Sequence, residues 1–381
     1  LPPIVSYHLT RTDTETAARL GHLETPHGRL ETPAFMPVGT QATVKGLLPR
    51  DLREAGSRML LANTYHLALR PGEDVVQALG GVHTMMAWDG PILTDSGGFQ
   101  AFSLAAKRKL TEDGVQFRSH LDGRLLNLTP EHAIAIQEAL GADVAMCLDQ
   151  CPALPAPRSE IEAAVDRTIR WARRCREART RSDQAVFGIV QGGPHADLRA
   201  RCADELIALD FEGYAVGGVS VGEGPDEIRR AVEVSAPRLP PDKVRYLMGV
   251  GRPEDILDAV AAGIDIFDCV LPTRNGRNAT CLTANGPLKL RNAVHKRALG
   301  PIEPGCDCLA CRQYSRGTIR HLFLAGEMLG PILASLHNLA YLHRLTREIR
   351  HAIAEDRFAA YRADALARLA GGSDGATDSG A

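Results

Sequence analysis

The 381-residue sequence predicts an α/β fold: a closed (β/α)8 barrel of the TIM type, with a β-hairpin insertion and a small metal-binding subdomain after the eighth strand. Three observations predict it. Eight short apolar runs rich in Val, Ile, Leu and Met alternate with helical stretches, which is the pattern of successive parallel β-α units. Most of the runs end in a polar residue or a glycine, as barrel strands do when their carboxyl ends share a functional rim. The chain is 44% hydrophobic and long enough for one large domain plus an appendage.

The expected strands are Ala34–Gly39, Met59–Asn63, Pro91–Asp95, Val144–Asp149, Val186–Gln191, Tyr214–Gly218, Val244–Gly249 and Ile264–Asp268. Asn63, Asp95, Asp149, Gln191, Gly218, Gly249 and Asp268 close seven of them, so residues scattered over two hundred positions are expected to converge on one pocket. Lys109–Asn127, with the turn signals Glu112-Asp113-Gly114 and Asp122-Gly123, reads as the hairpin insertion. The barrel is assigned to 1–279, the metal-binding subdomain to 280–337 and a helical closure of the barrel to 338–369. The Gly/Ser/Asp/Thr-rich stretch 370–381 reads as a disordered tail.

The net charge of -2 neither favours nor excludes a nucleic-acid partner, so the distribution decides. Between Cys269 and Ile302 there is no acidic residue, yet Arg274, Arg277, Lys289, Arg291, Lys296 and Arg297 fall there, a segment suited to tracking phosphates. A second run of seven arginines, Arg167 to Arg181, is interrupted and flanked by acids at helical spacing and reads as a solvated helix face. The first twenty residues lack the layout of a signal peptide, and no apolar run is long enough to span a bilayer, so a cytoplasmic protein is expected.

Cys306-x-Cys308-x-x-Cys311 supplies three thiolates within six residues, a spacing that suits zinc better than a disulfide framework. A closed tetrahedral site needs one more ligand. His295, His321, His337 and His343 are all within reach along the chain; spacing does not choose among them, although His321 is nearer than His337. Asp95-Ser-Gly-Gly-Phe-Gln100 puts a carboxylate at a strand end before two glycines that allow close backbone approach to a ligand. Phe267-Asp268-Cys-Val-Leu-Pro-Thr-Arg274 puts another directly before the acid-free basic stretch. Two carboxylates facing one anomeric carbon are what cleavage of a glycosidic bond requires.

Together with Asn63-Thr-Tyr-His-Leu67, Asp149-Gln-Cys151, Val190-Gln-Gly-Gly193, Gly217-Gly-Val-Ser-Val-Gly-Glu223 and Tyr246-Leu-Met-Gly-Val-Gly251, these motifs run in order over about residues 8 to 350. The sequence resembles the tRNA-guanine transglycosylase family, also called queuine tRNA-ribosyltransferase, in its bacterial form. The resemblance implies that Asp268 is the nucleophile attacking the ribose of the wobble guanosine and that Asp95 moves the proton to and from the exchanged bases. It implies a base pocket of Ser96, Phe99, Asp149, Gln191, Gly218, Val219, Met248 and Gly249. In it Asp149 accepts from the pyrimidine N–H groups and Gln191 and the Gly218 N–H donate to the ring carbonyl. Phe99 and Met248 sandwich the ring, and the Val219 carbonyl meets an aminomethyl group. Thr273, Arg274 and Arg277 would hold the anticodon loop.

The resemblance also selects His337 as the fourth ligand beside Cys306, Cys308 and Cys311, for one structural zinc ion. It implies a homodimer packed around the zinc region near Tyr314 and His321, and tRNAs with a G-U-N anticodon (Asp, Asn, His, Tyr) as partners. Val221 and Cys151 follow the bacterial pattern, for which the incoming base is 7-aminomethyl-7-deazaguanine in queuosine synthesis; the lack of an RNA-binding domain after the zinc segment counts against the archaeal form. Phe99 and Val219 depart from the tyrosine and leucine usual there. The competing readings are a non-catalytic, zinc-stabilised RNA-binding subunit, which would be free to lose Asp95 and Asp268, and a carbohydrate-cleaving barrel, which the 5% aromatic content disfavours.

Overall fold

The computed structural model describes residues 5–103, 108–219 and 224–373. Ahead of the barrel lies an antiparallel sheet that the barrel pattern does not announce: β1 (Ser6–Thr12), β2 (Arg19–Thr25) and β3 (Gly28–Thr32). Only one face of β2 is buried, so its apolar content is too low to resemble a barrel strand.

All eight expected barrel strands form, most of them shorter than read. They are β4 (Ala34–Gly39), β5 (Leu60–Ala62), β6 (Ile92–Thr94) and, after the insertion strands β7 (Arg108–Leu110), β8 (Val115–Arg118) and β9 (Leu125–Leu128), β10 (Val144–Met146), β11 (Ala185–Val190), β12 (Gly213–Val216), β13 (Val244–Leu247) and β14 (Ile266–Cys269). Every neighbouring pair in the barrel is parallel, and β14 closes on β4 with Ile266 opposite Ala34 and Cys269 opposite Pro37. β11 is buried along its whole length, as expected of a strand with side chains in the barrel on one face and helices on the other. The floor is fastened to the N-terminal sheet through Asp265, just before β14. Its carboxylate accepts from the Tyr7 hydroxyl at 3.0 Å and the Arg245 N–H at 2.7 Å, and Arg19 stands 3.2 Å away. Burial pushes the Asp265 carboxyl up to about 6 despite Arg19.

The insertion is a three-stranded sheet rather than a single hairpin, because each of the two turn signals closes its own hairpin. It also recruits part of the arginine run that reads as a solvated face. From the helix Arg158–Ala178, Arg170 pairs with Glu112 at 2.5 Å, Arg174 with Glu131 at 2.7 Å, and the Trp171 indole N–H donates to the Glu112 carbonyl at 2.8 Å.

After β14 the helix Leu271–Arg277 leads into the hairpin β15 (Thr280–Thr283) and β16 (Gly286–Lys289), and a separate small core collects Cys281, Leu290, Ile302, Ile319 and Phe323. The helical pattern expected after Pro331 is two helices, Leu329–Ala354 and Phe358–Ser373, with Asp356 at a φ of 51° between them. The second helix continues four residues into the stretch read as a tail; residues 374–381 lie outside the described residues. No helix among the described residues is long and apolar enough to cross a membrane.

Candidate active site at the carboxyl rim of the barrel

Asp95 follows β6, is almost fully buried, and is held by three donors. The Thr64 N–H donates to Oδ1 at 2.8 Å, while the Asn63 amide and the Gln100 amide, the latter at 3.2 Å, donate to Oδ2. Asn63 also caps the next helix, Thr64–Leu69, by accepting from the His66 N–H at 2.9 Å, so one residue ends β5, starts a helix and fixes the neighbouring carboxylate. Burial pushes the Asp95 carboxyl up to about 7; the Thr64 N–H opposes the rise and the negative charge of Asp268 adds to it.

Asp268 lies on β14 and is as buried as Asp95. Its Oδ1 accepts from the Tyr246 hydroxyl, which reaches across from β13, and from the Gly249 N–H at 2.9 Å. Burial raises the Asp268 carboxyl while both donors resist the rise. The two carboxylates thus sit at the ends of strands on opposite sides of β4 and β5, within electrostatic reach of each other.

The third carboxylate, Asp149, follows β10 and accepts from the Gln191 side chain at 2.6 Å and from the Ser96 hydroxyl at 3.4 Å. Burial pushes it up to about 6, with those two donors opposing. Gln191 Oε1 is buried without a hydrogen-bond partner among the described residues. A Cβ on Gly218, whose φ is +62°, would come within 2.4 Å of that oxygen, so both the backbone conformation and the space demand glycine there. Val219 is buried, Met248 is half-buried, Phe99 is 44% exposed, and Ser220–Glu223, including Val221, lie outside the described residues.

Of Asn63, Gln100, Tyr246 and Arg199, only Asn63 is marked in the sequence, as a strand end expected at the rim. The first three stand inside quoted motifs, and only the fold reveals which carboxylate each one serves. Arg199 gives no sequence signal: on the helix Ala196–Ile207 it is buried, and it donates to the carbonyls of Gly193 at 2.7 Å, Gly217 at 3.1 Å and Gly218 at 3.3 Å. It thereby braces the backbone beside Gln191.

The helix Leu271–Arg277 begins two residues after Asp268's strand ends. Thr273 is buried and its hydroxyl donates to the Val270 carbonyl at 3.3 Å; Arg274 is exposed, and half-buried Arg277 leaves Nη1 without a partner among the described residues. This helix leans on the Leu329–Ala354 helix, whose Asn338 amide donates to the carbonyls of Pro272 at 2.8 Å and Thr280 at 3.0 Å.

The preceding residue, His337, meets the cysteine cluster. Its Nδ1 lies 3.7 Å from Cys306 Sγ, 3.6 Å from Cys308 Sγ and 3.4 Å from Cys311 Sγ. A tetrahedral zinc with ordinary Zn–S and Zn–N bonds needs S···N separations of about 3.6 Å. Nε2 stands 2.8 Å from the Leu282 carbonyl, which fixes the proton there and leaves Nδ1 free to ligate. The donor set therefore fits a closed metal site, and the nearer His321 is not part of it.

A closed (β/α)8 barrel with paired buried carboxylates at its carboxyl rim and a Cys3His group that fits a metal ion defines a barrel enzyme whose rim adjoins a helix carrying Arg274 and Arg277. The sequence profile of queuine tRNA-ribosyltransferase matches residues 13–370. The queuine tRNA-ribosyltransferase of Pelotomaculum thermopropionicum is 54% identical over 367 residues, covering 96% of this chain and 99% of that protein. That of a Thermus thermophilus strain is 55% identical over 341 residues, covering 90% and 89%, and that of Lysinibacillus sphaericus 52% over 361 residues, covering 94% and 95%. The chain belongs to the queuine tRNA-ribosyltransferase family.

Proposed function

We propose that this protein is a tRNA-guanine transglycosylase of queuosine synthesis, a pentosyltransferase that exchanges the wobble guanine of G-U-N anticodon tRNAs for 7-aminomethyl-7-deazaguanine. The observation that carries the reading is a pair of buried carboxylates at one rim, the charge of one raising the other. Asp268 accepts from the Tyr246 hydroxyl and the Gly249 N–H, and its negative charge adds to the burial that puts Asp95 at about 7, where Asp95 can both give and take a proton near neutrality.

In the proposed reaction an Asp268 oxygen bonds to C1′ of the extruded guanosine as the C1′–N9 bond breaks, and Asp95 donates its proton to the leaving guanine. Asp95 then takes the N9 proton of the incoming base, N9 attacks C1′, and the ester to Asp268 breaks. Two inversions retain the configuration at the sugar. Asp149 accepts from the N–H groups of the base edge, Gln191 and the Gly218 N–H meet its carbonyl, and Phe99 and Met248 cover its faces. Ser96, Val219 and Gly249 complete the pocket, while Thr273, Arg274 and Arg277 hold the anticodon loop. Zinc is the ion proposed for Cys306, Cys308, Cys311 and His337, where it would stabilise the fold.

Exposed Val294, Leu299, Leu324 and Met328 on the appendage support association of two copies through that region, and a cytoplasmic location follows from the tRNA substrate. The test is incubation with an unmodified G-U-N tRNA and radiolabelled guanine, with and without the aminomethyl base as competitor. Label incorporation that the competitor suppresses supports the reading, and no incorporation refutes it.

A further inference from the structure

A second cluster of metal-ligating side chains lies at the opposite end of the barrel from the rim. Asp143, fully buried, immediately precedes β10; His27 sits in the turn between β2 and β3; His83 lies on the helix Gly81–Met86. His27 Nδ1 is 2.7 Å from Asp143 Oδ1, and His83 Nε2 is 3.1 Å from Oδ2. The two imidazoles stack, centroids 3.7 Å apart and planes 18° from parallel. We propose that His27, His83 and Asp143 form a second binding site for a divalent transition-metal ion of the zinc or nickel class.

Ions of this class, with bonds of about 2.0 to 2.1 Å, need neighbouring donors about 3 Å apart, and the two nitrogen–oxygen separations fall at that spacing. Two imidazoles and one carboxylate select such ions over magnesium and calcium, which favour oxygen ligands. The carboxylate is oriented before any ion arrives: the Ile92 N–H donates to Oδ2 at 2.8 Å and the His27 N–H to Oδ1 at 3.3 Å.

The His27 side chain is 41% exposed, so water can reach the remaining coordination positions. Arg181 and Asp183, the other charges near the cluster, are paired at 2.7 Å and offset each other. Ligands from three separate segments would cross-link the N-terminal sheet to the barrel floor, so the bound ion stabilises the fold without touching the rim.

The experiment uses the untagged full chain with its Cys3His metal in place and Ni2+ alone as the probe, followed by calorimetric titration, metal analysis and thermal melting. One further equivalent of Ni2+ is expected to bind and raise Tm, with no response to Mg2+. His83→Ala and His27→Ala should each weaken that equivalent at least about 10-fold and remove the Tm rise while the original metal content is unchanged. Absence of a further equivalent in the parent chain, or unchanged affinity in both variants, overturns the proposal.

Discussion

The Gln191 side-chain amide donates to Asp149 at 2.6 Å, so two groups proposed to grip neighbouring atoms on one edge of the base are bonded to each other. The ring N–H groups of the base would share the Asp149 carboxylate with that donor. Those N–H groups need an ionised acceptor. With Asp149 up at about 6, base affinity is expected to be flat above pH 7 and to fall about 10-fold per unit below 6. Titration of the base between pH 5 and 8 checks this, and an affinity that is level across the range removes Asp149 from the pocket.

Asp268→Asn is expected to abolish incorporation of labelled guanine and the denaturation-resistant protein–RNA adduct together. Gel electrophoresis of tRNA incubated with the variant reads the second effect directly. Adduct at the parent yield would mean that another group is the nucleophile.

Asp95→Asn should slow turnover by a factor on the order of 100 or more. In the parent enzyme, kcat/KM for tRNA should fall as pH rises through about 7, where Asp95 loses the proton it must donate, and fall again in acid as Asp268 takes one up. Stability carries the same signature. A group at 3.8 unfolded and about 7 folded contributes stability that is complete below about pH 4 and lost as pH climbs through 7. Between pH 5 and 8 the Asn variant should therefore gain about 2 to 4 kcal/mol relative to the parent in urea denaturation.

Tyr246→Phe removes one of the two donors on Asp268 and leaves the ring in place. Burial, then the Asp268 charge, hold the phenol far above its ordinary range, so it is a permanent donor. Loss of a hydrogen bond to a charged group should cost about 1.5 to 3 kcal/mol, or about 10- to 100-fold in kcat. Single-turnover rates of adduct formation decide it: an unchanged rate would make Tyr246 a packing residue only.

Cys308→Ala should release about one metal ion per chain and lower Tm. Because His337 and Asn338 are consecutive, and Asn338 holds the Pro272 carbonyl, loss of the ion should also loosen the helix carrying Arg274 and Arg277. KM for tRNA is expected to rise more than the affinity for the free base falls. Full metal content in the variant would contradict the closed site.

How much of this was legible in advance depended on whether a signal was local. The Asp95 and Asp268 strand ends and the Cys306–Cys311 spacing are written within a few residues each, and short apolar runs mark β4 to β6 and β10 to β14 without reference to partners. The N-terminal sheet leaves no such mark because β2 has one wet face, and the extra insertion strand leaves none because a short edge strand has little apolar content.

The sequence by itself determined the order of β-α units, the three thiolates, the acid-free basic stretch and, through the collinear motifs, the family resemblance. Only the tertiary structure decided that Tyr246 serves Asp268, that Asn63 serves Asp95, that Arg199 braces the Gly217–Gly218 backbone, and that His27 and His83 share Asp143. The division has a physical cause. Periodicity and turn chemistry act between residues a few positions apart, whereas these partnerships join side chains from separate segments that meet only when the barrel closes and its packing fixes where each one points.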